Sequence, residues 1–352
     1  MARILMKGNE ALAEGAVLAG CRYFFGYPIT PQSEVAEYLA RRLPEVGGCF
    51  LQAESELAAI NMVYGASSAG VRVMTGSSGP GISLKQEGIS FLAEGELPAV
   101  IVNVSRGGPG LGGIQPAQSD YAQATKGGGH GDYHLVVLAP GSVQEMIDLS
   151  MLAFDLADRH RTPVLIMSDG MQGQMMEPVV MPEPVTRFPE KPWATTGAAG
   201  RKPNIVNTLH LDPDYLEYRN RVLAEKYRII CETEKRAELF MTDDADMIVV
   251  AFGLLSRVAK KAVLEARKQG VKAGLFRPIT LWPFPDTFLE PLVPKTKVFL
   301  SVEISMGQMV EDIKMIVAKQ AKVEFYGRIG FTPKPEEITE AIMEAARKEG
   351  LV

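Results

Sequence analysis

Cysteine and histidine are both scarce in this chain. Only three cysteines occur among 352 residues, Cys21, Cys49 and Cys231, and no two of them form a C-x-x-C pair. A disulfide framework, a structural zinc site and a cysteine-ligated iron–sulfur cluster all need several suitably spaced cysteines, so the sequence supports none of them. The four histidines show no H-E-x-x-H spacing. No metal-binding residue is therefore predicted.

A strong excess of charge and a long apolar run are also missing. The formal net charge is -5, which gives no electrostatic reason to expect nucleic acid or an anionic membrane as a partner. No stretch of 18 apolar residues occurs, and the first residues lack the basic segment and apolar core of a secretory signal. We therefore expect a cytoplasmic protein that binds neither nucleic acid nor membrane.

What the sequence does contain is a regular alternation of strand and helix patterns. Over the first 170 residues, apolar runs such as "PAVIVNVSR" alternate with amphipathic segments such as "SEVAEYLARRLPEV". Near-continuous apolar strands separated by helices predict an α/β fold with a parallel sheet covered on both faces. The length predicts two domains, and a second, smaller α/β unit begins at "ADMIVVAFG".

The boundaries follow from composition. Seven prolines fall within residues 178–213, which predicts a linker or an extended arm. The charged segment 215–240 then predicts one long helix. We accordingly divide the chain into a first domain (1–177), an arm with a long helix (178–243) and a second domain (244–352).

The polar and glycine-rich segments of the first domain all follow predicted strands. In open parallel sheets, ligands bind beyond the carboxyl ends of the strands. Glycine lets backbone N–H groups approach a ligand closely, and helix N-termini favour anions. A ligand site at one rim of the sheet is therefore predicted. The segments that converge there are "YPITP", "QAESE", "TGSSGPG" and "SRGGPGLGGIQPAQSD".

Several side chains at this rim have both a structural and a functional interpretation. Thr30 lies between Pro28 and Pro31, which restrict the backbone, and this pattern fits a rigid connector as well as a binding loop. Glu54 and Glu56 stand at a predicted helix start, where carboxylates complement the helix dipole even without a catalytic role.

Arg106 opens the glycine-rich segment and can serve a structural ion pair or a ligand anion. The formal G-x-G-x-x-G of Gly108, Gly110 and Gly113 contains Pro109 and has no acid at the expected distance of roughly 20 residues, so an NAD site is rejected. No P-loop occurs, and "GSSGPG" does not have the G-x-S-x-G spacing of a hydrolase nucleophile elbow.

Taken together, "YPITP", "ESELAAINMVYGASSAG", "SSGPGISL" and the segment from "SRGGPG" to "HGDY" resemble the α subunit of 2-oxoacid:ferredoxin oxidoreductases. In the second domain, "GLFRPITLWPFP" and "SVEISMGQMVEDI" are similar to that subunit too. The order of the motifs matches over nearly the whole chain. The version "GPGLGGIQPAQSDY" is most similar to the 2-oxoisovalerate (branched-chain) type.

This resemblance implies a fold and a reaction. The first domain would be a pyrimidine-type thiamine-diphosphate-binding domain, and the second would resemble a transketolase C-terminal domain. The enzyme would be an oxidoreductase that decarboxylates a 2-oxoacid, transfers the acyl group to coenzyme A, and passes electrons through iron–sulfur clusters to ferredoxin.

The resemblance also implies roles for residues of this chain. Glu56 would be catalytic, forming a hydrogen bond with the aminopyrimidine ring from a buried pocket, while Glu54 would only begin the helix. Thr30 and Arg106 would be catalytic residues at the substrate carboxylate, for which arginine is suited by its two parallel donors. Besides Glu56, the residues implied to contact the cofactor are Tyr27, Pro28, Ile29, Ser77, Ser78 and Gly79.

Partner subunits are implied by what the motifs leave out. Thiamine enzymes hold the diphosphate through magnesium with a G-D-G motif and a later asparagine, whereas "SDGMQGQ" lacks the leading glycine. We therefore expect a β subunit that carries the diphosphate and magnesium motif, and ferredoxin-like and γ subunits that carry the clusters. Ferredoxin, the 2-oxoacid and coenzyme A complete the expected partners, and the chain alone should be inactive.

Two alternatives stay open. The same family also acts on 2-oxoglutarate or pyruvate; a dicarboxylate would call for a second basic residue, for which Lys126 is the nearby candidate. A more distant alternative is a non-catalytic α/β module whose rim binds an anionic metabolite without any partner chain.

Overall fold

Residues 3–352 are described by a computed structural model of the protein, which contains fourteen strands and twelve α-helices in this range. The strands are β1 (Arg3–Lys7), β2 (Tyr23–Gly26), β3 (Cys49–Gln52), β4 (Val73–Ser77), β5 (Ala99–Ser105), β6 (Val136–Leu138), β7 (Pro163–Asp169), β8 (Met176–Val180), β9 (Ala237–Phe240), β10 (Met247–Val250), β11 (Ala273–Pro278), β12 (Thr280–Trp282), β13 (Val298–Glu303) and β14 (Lys322–Gly327). The helices are α1 (Gly8–Leu18), α2 (Ser33–Glu45), α3 (Glu56–Ser68), α4 (Pro80–Glu94), α5 (Tyr121–Lys126), α6 (Val143–His160), α7 (Gly170–Gln174), α8 (Pro213–Thr233), α9 (Leu255–Lys268), α10 (Asp286–Leu289), α11 (Met309–Val317) and α12 (Pro335–Lys348).

The larger sheet has seven strands in the order β12-β6-β7-β5-β4-β2-β3. Six of them are parallel, and β12 joins one edge as an antiparallel strand. Strands β5 and β7 are buried at every position, because helices cover both faces of the sheet. The α/β fold with a parallel sheet is therefore confirmed.

The helices of this unit form two layers. Helix α1 contacts α2 and α6, and α3 contacts α4. Because crossover connections between parallel strands are right-handed, the two groups lie on opposite faces of the sheet. The loops that follow β2, β3, β4 and β5 consequently all emerge at the carboxyl rim, as the sequence predicts.

The smaller sheet has five strands in the order β14-β13-β10-β11-β9, of which only β9 is antiparallel. Helices α9 and α12 pack against each other and against this sheet, around a separate apolar core. The C-terminal part also contributes β12 to the larger sheet, where it pairs with β6. The two units are thereby joined by backbone hydrogen bonds as well as by side chains.

The long charged helix predicted for residues 215–240 is wrong at its C-terminal end. Helix α8 ends at Thr233, and β9 pairs with β11, where Leu239 lies opposite Phe276. Glutamate, lysine, alanine and leucine favour helix locally, but pairing with a strand distant in sequence outweighs that propensity.

An irregular segment, residues 181–212, runs between β8 and α8 over the surface of the larger unit. Val185 N–H donates to the carbonyl of Leu18, and Thr195 N–H donates to the carbonyl of Ser68. This agrees with the arm expected from the prolines, while the exact domain division stays a prediction. Within residues 3–352, no helix is both long enough and apolar enough to cross a membrane.

Candidate active site

Glu56 is the first residue of α3 and is nearly buried, with an exposed fraction of 6%. Ser55 caps this helix by accepting a hydrogen bond from the N–H of Ala58. The carboxylate of Glu56 therefore does not cap the helix, and it accepts no hydrogen bond from any residue in the range 3–352. Glu54, in contrast, is exposed and lies beside the Ser55 hydroxyl. The structure thus separates the two carboxylates: Glu54 lies before the helix and is exposed, whereas Glu56 begins the helix and is nearly buried, so the expectation that Glu54 starts the helix is wrong.

The turn between β4 and α4 faces this carboxylate. Ser77 and Ser78 are completely buried, and neither hydroxyl has a hydrogen-bond partner among the described residues. Gly79 adopts a φ of 40°, in the left-handed region that favours glycine. At Gly81, an added Cβ would lie 2.1 Å from Ser77 Oγ and 2.5 Å from Glu56 Oε1. The missing side chain of the glycine therefore lets the serine hydroxyl and the glutamate carboxylate pack directly against its backbone.

Arg106 directly follows β5 and is also nearly buried, with an exposed fraction of 8%. Its Nη1 donates to the carbonyl of Thr30 at 2.9 Å, and its Nη2 donates to the carbonyl of Leu111 at 2.9 Å. Its Nε is buried and has no partner within the described residues. A Cβ added at Gly79 would lie 3.7 Å from this Nε, so the free donor lies beside the glycine turn.

The loop after β2 is brought to the same rim. Thr30 is exposed, its peptide bond to Pro31 is cis, and its carbonyl accepts the bond from Arg106. Tyr27 and Pro28 are exposed as well, and Ile29 is half-buried. The structure therefore joins Thr30 to the arginine through its backbone.

Two cavities open at this rim. The first, of about 660 Å³, lies between the Gly79 turn and Arg106 on one side and Met306 and Gln308 of the smaller unit on the other. The second, of about 580 Å³, lies beside Thr30. The rim of the larger sheet and the smaller unit together enclose space for a small-molecule ligand.

Asp120 lines the first cavity and adds a polar group that the sequence reasoning did not assign. Asn103 Nδ2 donates to its Oδ2 at 2.9 Å, and Ser105 Oγ donates to the same oxygen at 3.2 Å. Burial raises the pKa of this carboxyl, while the two hydrogen bonds and the charge of Arg106 act in the opposite direction.

Two further buried polar side chains were missed. Gln32 is completely buried, with both amide atoms unpartnered among the residues described, and a Cβ at Gly76 would lie 2.7 Å from its Oε1. Lys85 of α4 is completely buried and contacts the first residue of α3. A signal for Lys85 was present, since it lies on the apolar stripe that includes Ile82 and Ile89.

The residues present suit the pyrimidine half of thiamine diphosphate. The observations are the buried, unpartnered hydroxyls of Ser77 and Ser78 and the nearly buried side chain of Glu56, around a glycine where a Cβ would intrude. For a metal, no cluster of three or more histidine, cysteine, aspartate or glutamate side chains is found over residues 3–352. Asp169, the acid of "SDG", uses its Oδ1 to cap α7 by accepting from two backbone N–H groups.

Lys126, the second cation considered for a dicarboxylate substrate, binds a residue of the smaller unit. Its ammonium forms an ion pair with Asp312, which also accepts a hydrogen bond from the hydroxyl of Tyr121. The lysine therefore already has a carboxylate partner within the chain.

Comparisons with known proteins show which family the chain resembles. A family model described as pyruvate flavodoxin/ferredoxin oxidoreductase, thiamine diphosphate-binding, matches residues 14–235, and the pyruvate:ferredoxin oxidoreductase core domain II matches residues 245–338. The ketoisovalerate oxidoreductase subunit VorB of Methanothermobacter marburgensis is 55% identical to this chain over 94% of each protein.

Two solved structures are similar as well. The 2-oxoglutarate:ferredoxin oxidoreductase of Magnetococcus marinus, determined with 2-oxoglutarate, coenzyme A and succinyl-CoA, superposes with a TM-score of 0.88 at 30% identity. The match covers 97% of this chain and 65% of that one. A split-gene transketolase, in the form of an inactive tetramer, has a TM-score of 0.62 at 14% identity over 97% of this chain and 98% of that one, which is a similarity of fold alone.

Proposed function

The chain belongs to the 2-oxoacid:ferredoxin oxidoreductase family, and from this premise we propose that it is the α subunit of a multi-subunit enzyme acting on branched-chain 2-oxoacids. The reaction would be the coenzyme A-dependent oxidative decarboxylation of 2-oxoisovalerate to acyl-CoA and carbon dioxide, with reduction of ferredoxin. The M. marburgensis relative, matched over nearly its full length, supports the substrate. The observation that carries the mechanism is the convergence of buried, unpartnered polar groups at one rim.

Thiamine diphosphate, when bound, would supply a nucleophilic carbon that adds to the 2-oxo group and accepts the electrons left by departing carbon dioxide. On this chain, Glu56 would accept a hydrogen bond from the aminopyrimidine ring, since its buried carboxylate has no partner among the described residues. Ser77 and Ser78 would offer their buried hydroxyls, and Gly79 would allow close approach of the ring. The loop from Tyr27 to Ile29 would complete this half of the pocket.

Arg106 would bind the substrate carboxylate. Two of its nitrogens are held by the carbonyls of Thr30 and Leu111, so the guanidinium is fixed before any ligand arrives. Its free Nε–H is buried, where a charge-assisted hydrogen bond to a carboxylate is strong. The exposed hydroxyl of Thr30 would be a second donor at the same place.

The diphosphate, magnesium and iron–sulfur clusters would be held by partner chains. We assign the magnesium motif to a β subunit, because Asp169 already caps a helix, and the clusters to ferredoxin-like and γ subunits. The cytoplasmic location expected from the sequence stays a prediction.

The main alternative substrate is 2-oxoglutarate, which the M. marinus structure contains. The ion pair between Lys126 and Asp312 disfavours it, because the second carboxylate of a dicarboxylate would have to compete for this lysine. Pyruvate, which is smaller, is a further alternative within the family.

The test is a native pull-down with this chain tagged, prepared without oxygen and assayed for viologen reduction. The assay would contain thiamine diphosphate and coenzyme A, and 2-oxoisovalerate, 2-oxoglutarate and pyruvate would be compared. We expect cluster-containing chains to co-purify and 2-oxoisovalerate to give the highest kcat/KM. If the chain emerges alone and still binds an anionic metabolite, the non-catalytic module is the better description.

A further inference from the structure

Lys85 is a buried cation without an acidic partner in contact. Its side chain is completely buried in the apolar stripe of α4. Within residues 3–352, no carboxylate oxygen lies within 4.0 Å of its ammonium. A lysine in the protein interior is rare unless it is paired, because desolvation disfavours its charged form. Leucine or methionine would fill the same space at lower cost, so the lysine calls for a functional explanation.

The ammonium makes two hydrogen bonds, and one of them reaches the candidate active site. Its Nζ donates to Thr75 Oγ1 at 3.1 Å and to the backbone carbonyl of Glu56 at 3.3 Å. Glu56 is the first residue of α3, so this second bond ties the start of α3 to α4. The lysine therefore holds the residue whose carboxylate packs against Gly81 and Ser77.

The charges of Lys85 and Glu56 also act on each other. Burial lowers the pKa of Lys85 to about 8, and the negative charge of Glu56 acts in the opposite direction. At neutral pH the lysine is thus largely protonated.

Other charges around the ammonium are few. Helix α3 carries Glu56 and Tyr64, β4 carries no ionisable side chain, and α4 carries the exposed Glu87 and the half-buried Glu94. Strand β7, which also contacts α4, carries Asp169, whose Oδ1 caps α7. Of these groups, only Glu56 influences the protonation of Lys85.

We propose that Lys85 is a positioning residue for Glu56, whose backbone it holds through a hydrogen bond to the first carbonyl of α3, so that the carboxylate is kept in place at the cofactor site. This inference rests on the proposed role of Glu56. It assigns no contact between the lysine and the cofactor or the substrate. It explains why a cation is retained in an otherwise apolar helix stripe, directly beneath the rim.

The test compares the assembled complex carrying Lys85→Met with the unmodified complex. The readout is the rate of hydrogen–deuterium exchange at the reactive carbon of bound thiamine diphosphate, followed by acid quench and proton NMR from pH 5.5 to 7.5. Each sample holds thiamine diphosphate well above its dissociation constant, which is measured separately by titration calorimetry. We expect Lys85→Met to lower the exchange rate about tenfold across this pH range, because the start of α3 and the Glu56 carboxylate are then no longer held in place.

Thr75→Val is the matched control. It removes the other hydrogen bond of the same ammonium, in the same buried place, and leaves the charge and the bond to Glu56. Its exchange profile should follow that of the unmodified complex. If Thr75→Val lowers the rate as far as Lys85→Met does, local packing rather than the bond to the Glu56 carbonyl is responsible and the inference is wrong.

Glu56→Gln separates this inference from the proposed function. If Glu56→Gln leaves exchange unchanged, the site assignment itself fails. If it abolishes exchange while Lys85→Met leaves the profile in place, only the role of Lys85 fails. Lys85→Gln, which keeps an N–H donor without a charge, is the conservative second variant and should retain more of the exchange rate than Lys85→Met. Loss of assembly in both lysine variants would also contradict the inference, because removing this charge should not weaken folding.

Discussion

The replacement Lys85→Met should make the folded chain more stable at neutral pH, although it is expected to impair the active site. The pKa of Lys85 falls from the ordinary 10.5 to about 8 on burial. At about 1.4 kcal/mol per pKa unit, this difference corresponds to about 3 kcal/mol of unfavourable free energy when the lysine is charged. Methionine has a similar length and carries no charge, so that cost disappears.

Part of this gain is offset by the groups that the ammonium leaves behind. Thr75 Oγ1 and the carbonyl of Glu56 each lose a hydrogen bond, which costs about 1 kcal/mol apiece. The net stabilisation should therefore be about 1 kcal/mol at pH 7. For a domain of this size, about 2–4 °C in Tm is expected per kcal/mol.

The pH dependence of the free energy of unfolding is an independent test of whether Lys85→Met stabilises the fold. The pKa of Lys85 is lower in the folded state than in the unfolded state, so the unfolded chain binds more protons between pH 8 and 10.5. The free energy of unfolding of the unmodified chain should therefore increase as the pH rises through that window, because the lysine loses its charge in the folded state. Below pH 8 the full free-energy cost of burying the charged lysine is present, and above pH 10.5 this cost is absent. The advantage of Lys85→Met should thus be largest at pH 7 and smaller, or reversed, at pH 10.

Scanning calorimetry at pH 7 and pH 10 tests this, with Lys261→Met as the control. Lys261 is an exposed lysine on α9, and its replacement should change stability by less than about 0.5 kcal/mol at either pH. A lower Tm for Lys85→Met at pH 7, by the same amount as at pH 10, would mean that the buried ammonium stabilises the fold, and the reasoning would be refuted.

Four further predictions concern the site. Glu56→Gln should abolish 2-oxoacid-dependent viologen reduction while the complex still assembles, as judged by size-exclusion chromatography. Arg106→Met should raise the KM for the 2-oxoacid by about 10- to 100-fold and lower kcat less, because a charge-assisted hydrogen bond of about 1.5–3 kcal/mol is lost. Gly81→Ala should weaken thiamine diphosphate binding in titration calorimetry, since its Cβ would lie 2.5 Å from Glu56 Oε1. Lys126→Met should leave the ratio of kcat/KM values for 2-oxoisovalerate and 2-oxoglutarate within about twofold of the unmodified complex, because the lysine pairs with a carboxylate of its own chain.

Each of these variants has a control or a contradicting result. Glu54→Gln should keep full activity, because that carboxylate is exposed. Gly65→Ala should leave cofactor affinity unchanged, since nothing lies within 4 Å of the added Cβ. An unchanged KM in Arg106→Met would remove this arginine from the substrate site. A marked loss of 2-oxoglutarate turnover alone in Lys126→Met would favour the dicarboxylate as the natural substrate.

The sequence predicted the parallel sheet and the convergence at its rim because both depend on local patterns. Apolar runs such as β5 and β7 read directly as buried strands, and the glycine-rich turns stand where those strands end. The distinction between Glu54 and Glu56 depended on the family resemblance, and the burial of Glu56 agrees with it. The domain boundaries and the roles of the site residues stay predictions.

What local patterns could not reveal is long-range pairing and the state of individual atoms. Strand β12 joins the larger sheet from the far end of the chain, and β9 forms where propensity favours helix. The burial of Lys85 could have been predicted, because a lysine within the apolar stripe of a helix is unusual. Its contact with the carbonyl of Glu56 could not, since only the fold brings the two together. Gln32 had no such signal, since its burial follows from the packing of its loop against Gly76.

Glu303, at the end of β13, shows what this fold does with a buried glutamate whose role is structural. Its two carboxylate oxygens accept five hydrogen bonds, from two serine hydroxyls and from three backbone N–H groups at the start of α11. Glu56 is almost as buried and receives none from residues 3–352. The same rim leaves the buried hydroxyls of Ser77 and Ser78 and the buried Nε of Arg106 without partners, and a buried polar group without a partner is costly. Glu303 shows that residues of this chain can supply every hydrogen bond that a buried carboxylate needs. The unpartnered groups at the rim therefore favour a bound ligand that brings its own donors and acceptors.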